Sequence, residues 1–381
     1  MKKSLFAIAA VTAFAGAAQA QSSVTIYGIL DVGYVGGNAK ATAAGVKNAE
    51  TVSAFNQSAE TTSRLGFRGT EDLGGGTSAF FTLETGVSPQ SSTLSAFNNR
   101  QSFVGLAQKG LGRIAFGTQY TPIHVAVGRT SAGQQNNVVG DVIYPQSTGL
   151  NASNASNANQ NNVGYTIRTN NTMNLQSDVV AGFQATGFYA LNNKDENQGG
   201  TLAAPTGGTT NTNAYGIGVN YTFKKLLATV NYQSFKNETD STLTASVAGV
   251  NATDNQMYAA ATYDFGILKA YAQYIDKKVT SNLNSNQYLK RTAQQIGVRG
   301  NWTPKIESWA SVGTGRNQAF GIANPTANIT GYQLGTNYIL SKRTNLYAIF
   351  GASQTSSTSN AAGAQTNYNA NNYAVGVRHT F

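Results

Sequence analysis

Between Ala214 and Phe223 the chain alternates without a break: Tyr215, Ile217, Val219, Tyr221 and Phe223 are separated by Ala214, Gly216, Gly218, Asn220 and Thr222. A strand sends successive side chains to opposite faces. This segment therefore has one apolar face and one small or polar face, whereas helical spacing would scatter the same residues around a cylinder. The pattern returns at Leu226, Ala228, Val230 and Tyr232 against Thr229, Asn231 and Gln233. It returns again at Tyr332, Leu334, Tyr338 and Leu340 against Gln333, Gly335 and Asn337.

About sixteen such segments can be marked, beginning near Val24, Arg64, Ser78, Arg100, Arg113, Asn162, Asp178, Ala214, Leu226, Asn255, Ile267, Thr292, Ile306, Thr330, Thr344 and Asn372. Most are about 9 to 12 residues long, which suits a tilted strand crossing a hydrocarbon layer. Their connections alternate. Leu73 to Gly76, Lys109 to Gly112, Phe223 to Lys225, Thr303 to Lys305 and Ser341 to Arg343 are tight, while Asn38 to Thr62, Thr121 to Asn161 and Asn192 to Asn213 are long. The pattern predicts an all-β chain, a transmembrane up-and-down antiparallel β-barrel with short periplasmic turns and long extracellular loops. Proline removes a ladder donor, and all six prolines are expected in loops or turns. Aromatic residues at strand ends, such as Tyr221, Phe223, Tyr263, Phe265 and Trp302, fit interfacial girdles.

Composition agrees with a wall wetted on one side. Only 11% of residues are charged, against about 25% in soluble domains, yet Gly, Asn, Thr, Ser and Gln abound. Cysteine is absent, which removes disulfides and thiolate metal sites and leaves the strand ladder to hold the chain. At the start, Lys2 and Lys3 precede an apolar run from Leu5 to Phe14 and the motif Ala18-Gln19-Ala20. These are the parts of a cleaved export signal. Residues 1–20 are expected to be removed, leaving 21–381 as the barrel, and the net charge of +10 falls to +8 with the loss of the two signal lysines. Beyond Ala20 no apolar stretch is long enough for a membrane helix.

Five segments carry a family resemblance: Ser23–Asp31 (SVTIYGILD), Ser63–Gly74 (SRLGFRGTEDLG), Asn99–Leu106 (NRQSFVGL), Gly112–Tyr120 (GRIAFGTQY) and Val375–Phe381 (VGVRHTF). With them the chain resembles the general porins of Gram-negative outer membranes, most closely the trimeric porins of β-proteobacteria. The resemblance implies a sixteen-stranded barrel in outer-membrane lipid and association into a homotrimer through the walls near the chain ends. It also implies passage of small hydrophilic solutes, and Phe381 as the C-terminal signal read by the barrel-assembly machinery. It further implies a third long loop folded into the pore, here 121–161. The loop lacks the family's commonest run and carries only Val139-Gly140-Asp141.

A pore is defined by the charges at its narrowest point. With Leu65 and Phe67 outward, Arg64, Gly66 and Arg68 turn into the lumen; with Phe103 outward, Arg100 and Ser102 do the same. The family carries basic residues at positions resembling Arg64 and Arg100 and a third on the sixth strand. Arg168 is the candidate for the third, with Gly164 or Thr166 as alternative occupants of that position. Between Glu84 and Asp178 the one carboxylate is Asp141, against Arg100, Lys109, Arg113, Arg129 and Arg168. A narrow low-dielectric lumen focuses such an imbalance, so an anion-preferring pore is expected, with Glu84 and Asp141 facing the arginines. Lys109 and Arg113 flank a tight turn and are expected at the rim.

The rivals are a substrate-specific channel for small anionic solutes and an outer-membrane β-barrel enzyme. The enzyme needs a base beside its nucleophile. The two histidines, His124 and His379, have no local partner set in the sequence. No metal, cofactor or nucleic-acid motif stands out: Gly74-Gly75-Gly76 opens no helix, and the bases are scattered.

Overall fold

The computed structural model describes residues 23–43, 46–90, 100–146, 164–201, 204–239, 251–321, 326–359 and 365–381. The expected signal segment, Asn162 and Pro325 lie outside them. Seventeen strands form one antiparallel sheet. They are β1 (Ser23–Ala43), β2 (Val46–Gln57), β3 (Arg64–Gly74), β4 (Thr77–Gly86), β5 (Gln101–Gln108), β6 (Gly112–Tyr120), β7 (Arg168–Ser177), β8 (Phe183–Thr201) and β9 (Ala204–Phe223). They continue as β10 (Leu226–Thr239), β11 (Ala252–Asp264), β12 (Leu268–Ser281), β13 (Tyr288–Thr303), β14 (Ile306–Phe320), β15 (Ala327–Ile339), β16 (Thr344–Ser359) and β17 (Gln365–Thr380).

The sheet closes where β1 pairs with β17, placing Asp31 opposite Arg378. Along its first residues β1 pairs with β3, and along its outer half with β2. Thus β2 and β3 are two halves of one wall position, and the circuit has sixteen positions. Among the described residues every wall position is paired on both sides, as hydrocarbon demands. Tight turns gather at one rim: Gly74, Gly75 and Gly76 all take positive φ there (84°, 61° and 80°), a conformation glycine adopts without a Cβ penalty.

Two expectations need correction. The segments Asn38 to Thr62 and Asn192 to Asn213 are not open loops; β1 with β2, and β8 with β9, run on as paired ribbons to within two residues of their tips. Pro205 accordingly falls inside β9, as its second residue, opposite Gly200. A strand's first residues tolerate proline.

The interior is partly filled. After β6 the chain turns into the barrel as α1 (Pro122–Thr130), where Thr121 Oγ1 accepts the His124 N–H at 3.4 Å and proline occupies the first turn. A nine-residue helix is too short to persist alone. Its buried face holds it: Ile123, Ala126 and Val127 pack with Tyr258 and Ile275 of the wall. Each fully buried aliphatic side chain contributes about 1.5–3 kcal/mol.

Beyond α1 the backbone lies along β13 to β17. A Cβ on Gly297, Gly313, Gly331 or Gly351 would run into Ala132, Val142, Gly140 or Val139 respectively. These inward glycines form a bed for the loop. Polar wall residues then satisfy its backbone: Gln333 Nε2 donates to the carbonyls of Val138 (2.6 Å) and Val139 (3.0 Å). The Val139 N–H donates to Asn372 Oδ1 at 2.9 Å and the Val142 N–H to Gln295 Oε1 at 3.0 Å. Arg291 donates to the Val142 carbonyl, and Arg299 Nε to that of Ala132 at 2.9 Å. Beside the same wall, the Asn137 N–H donates to the Ala59 carbonyl at 2.9 Å, and Ala59 packs with Val138, Tyr347 and Ile349. The described part of the 121–161 loop, up to Gln146, therefore runs inside the barrel along its wall.

Candidate functional site: the lumen constriction

The wall opposite the glycine bed carries the charge. Tyr27, Gly66, Glu84 and Gln101 are successive cross-strand partners on β1, β3, β4 and β5. Gly66 has no side chain because the Tyr27 ring lies over it. That ring brings its hydroxyl to donate to Glu84 Oε2 at 3.0 Å, and the Arg68 guanidinium lies 5.2 Å from its centroid.

Glu84 is almost fully buried and takes two further partners. Arg100 Nε donates to Oε1 at 2.6 Å, and Arg64 Nη1 stands 3.9 Å from Oε2. Arg64 is fixed from behind, since its Nε donates to the Thr62 carbonyl at 3.0 Å. Arg100 also donates to the Tyr120 hydroxyl. Arg168, the first residue of β7, pairs with Tyr120 and holds its guanidinium 5.6 Å from that ring's centroid. Gly164 and Thr166 precede the strand and are engaged elsewhere, their carbonyls accepting from Lys277 Nζ (2.8 Å) and Thr121 Oγ1 (2.6 Å). Three guanidiniums thus share one carboxylate and a tyrosine plate, leaving two positive charges in excess.

The loop supplies the facing side. His124 lies 4.5 Å from Tyr120 and 5.9 Å from both Tyr144 and Tyr165, ring centroid to ring centroid. The Gln135 amide donates to the His124 carbonyl at 2.9 Å and to the Tyr165 hydroxyl at 3.0 Å. Burial, and then the charges of Arg168, Arg100 and Arg64, push the imidazole down to about 3. It is neutral in any ordinary medium. Burial likewise raises the Tyr144 and Tyr165 phenols above their usual range. Arg129 is exposed on the same face of α1 as Val125, turned from the wall toward the lumen.

Other predicted residues stand elsewhere. Asp141 does not meet the arginine cluster. Its Oδ1 accepts the N–H groups of Ile143 and Tyr144, each at 2.8 Å, and it is only 3% exposed. Its work is to turn the loop. Phe103 faces the lumen and Ser102 faces out, the reverse of the expectation, because Val104 and Leu106 carry the lipid face of β5. Phe103 packs edge-on against Phe80 at 6.3 Å, and Arg113 lies over Phe80 at 5.9 Å. Both border a lumen recess of about 240 Å³, so Arg113 lines the channel wall. Arg100 still reaches Glu84 because it precedes the strand and escapes its alternation. Tyr27, Tyr120, Arg291 and Arg299 carry no motif of their own in the sequence; an inward glycine such as Gly66 is the available signal for the aromatic ring above it.

A closed barrel with a loop lying inside it along one wall and a charge cluster on the other is the geometry of a diffusion channel, and a family model described as Gram-negative porin matches residues 7–358. The chain belongs to the Gram-negative porin family. An outer membrane porin of Delftia acidovorans is 29% identical over the full length of both chains. One from Bordetella pertussis is 27% identical, covering 91% of this chain and 93% of its own. Among solved structures, an anion-selective porin from Comamonas acidovorans superposes with a TM-score of 0.66 at 23% identity, covering 95% of this chain and all of that one. The protein is an outer-membrane porin, a water-filled channel for passive diffusion of small hydrophilic solutes.

Proposed function

We propose that this porin prefers anions and that Arg64, Arg100 and Arg168 set the preference. The reading is carried by one wall cluster in which Arg64 and Arg100 share the single carboxylate of Glu84 and Arg168 stands over the Tyr120 ring to which Arg100 donates. At about 8 Å from two unpaired positive charges, a monovalent anion gains about 1 kcal/mol in a water-like dielectric and about 4 kcal/mol at an effective dielectric near 20. Salt reduces this, since the Debye length is also about 8 Å at physiological strength. Arginine suits the position because it stays charged at any physiological pH. Arg68, Arg113 and Arg129 extend the positive surface on either side of the narrowing. The barrel from Comamonas acidovorans is an anion-selective porin, which favours the same reading.

The test is planar-bilayer reversal potential in a salt gradient. Arg64→Gln with Arg100→Gln shifts it toward cations, and Glu84→Gln shifts it further toward anions.

Trimer assembly is part of the proposal, supported by a Vibrio cholerae barrel of the same fold solved in a trimer form; native mass spectrometry reads it directly. We also assign residues 1–20 to a removable export signal and the Phe381 strand end to recognition by the assembly machinery. No catalytic activity is assigned to the chain.

A further inference from the structure

The outward face of β12 to β14 carries charges that neither the barrel nor the channel requires. Lys278 and Lys290 are direct cross-strand partners, and like charges so placed destabilise a sheet. Both point away from the lumen, because their neighbours point inward. Lys277 donates to the Gly164 carbonyl at 2.8 Å, and Arg291 to that of Val142, both in the inward loop. Arg316, opposite Thr292 on the next strand, is outward and exposed as well. Asp276 Oδ2 bridges Lys290 Nζ at 2.9 Å, and Lys278 Nζ lies 4.3 Å from the Tyr288 ring centroid. Three cations against one carboxylate leave two positive charges in excess on a lipid-facing wall.

Their height is informative. Trp302, 71% exposed, marks the tight-turn rim of β13. Twelve residues separate it from Lys290, about 40 Å along the strand at about 3.3 Å per residue and about 28 Å along the membrane normal at a tilt of about 45°. That matches an apolar band of about 25 Å. The cations therefore stand where outer-leaflet headgroups lie. Directly beneath them an outward groove of about 560 Å³ is bordered by Ala272, Tyr274, Gln294, Ile296 and Val312.

We propose that this face binds a phosphate-bearing acylated lipid of the outer leaflet, with phosphate between Lys278, Lys290 and Arg316 and an acyl chain in the groove. A bilayer lipid presents anion and hydrocarbon in this order at these depths. It also neutralises the repulsion between the paired lysines, while Gln294 offers a donor and an acceptor at the level of the acyl linkages.

Native mass spectrometry of the detergent-solubilised mature protein with lipid A bisphosphate tests this. The wild type retains the lipid. The variant K278Q/K290Q/R316Q binds it at least tenfold more weakly, with the reversal potential and the oligomer unchanged, and the charge-retaining K278R/K290R/R316K binds as the wild type does. Equal binding by the glutamine variant, or equal binding of dephosphorylated lipid A, overturns the proposal. Saturation of the site by inorganic phosphate alone overturns the acyl part, and loss of oligomer in the glutamine variant shows that the face is a protein contact instead. A failure here leaves the lumen reading untouched, since the two sites occupy opposite faces of the wall.

Discussion

The two walls of the lumen both carry arginines and use them differently. On the side of β3, β5 and β7, Arg64, Arg100 and Arg168 meet one carboxylate and two tyrosine rings at half-buried positions on the lumen wall. On β13, Arg291 and Arg299 are spent on the backbone carbonyls of Val142 and Ala132 and lie beneath the loop, 1% and 8% exposed. What separates them is the neighbouring backbone. Where inward glycines let a chain segment approach, guanidiniums become fasteners; where aromatic rings fill the wall, they remain charge for the channel. Counting arginines in the sequence therefore says little about selectivity until the path of the loop is known.

The largest effect should come from breaking the bed. Gly351→Val places carbon against the Val139 carbonyl, and overpacking at such a contact costs about 1–3 kcal/mol or more. Single-channel conductance should rise as the loop leaves the wall, and the barrel should melt earlier. Acid should act next, through His124. Its folded value near 3 lies below the ordinary 6.5, so burial of the neutral ring stabilises fully above about pH 6.5, and that contribution is lost as pH falls toward 3. The wild type should lose about 3 kcal/mol between pH 7 and pH 4 relative to His124→Asn, read from paired thermal melts. Arg291→Met should follow, costing about 1–3 kcal/mol by leaving the Val142 carbonyl unpaired. Conductance should become noisier at unchanged selectivity. Arg64→Gln with Arg100→Gln should move selectivity most; it also leaves the almost fully buried Glu84 carboxylate without a cation, so the melting temperature should fall unless Glu84→Gln is added.

The barrel was legible because hydrocarbon on one side and water on the other impose alternation on every crossing segment. Where strands run past the bilayer, both faces meet water and alternation fades. For that reason the outer half of β1, with Asn38, Lys40 and Thr42, and its partner β2 read as loop. Arg64 and Arg68 could be placed because Leu65 and Phe67 flank them with plain apolar character. Phe103 misled because an aromatic ring packs on Phe80 in a wet lumen as readily as it meets lipid. Asp141 misled for a related reason: a short carboxylate satisfies nearby backbone N–H groups, and this one is buried in the loop, where it accepts from Ile143 and Tyr144. The loop's course was written less in the loop than in its bed, as inward glycines at 297, 313, 331 and 351. A glycine inside a strand often marks a close backbone approach, and four on adjoining strands trace the path.

The most direct test of the central claim is the zero-current potential of the mature porin in a planar bilayer under a tenfold potassium chloride gradient. The sign should be that of chloride permeating faster than potassium, with the preference shrinking in the Arg64→Gln, Arg100→Gln variant and as ionic strength rises. A wild-type potential of the opposite sign would contradict the account.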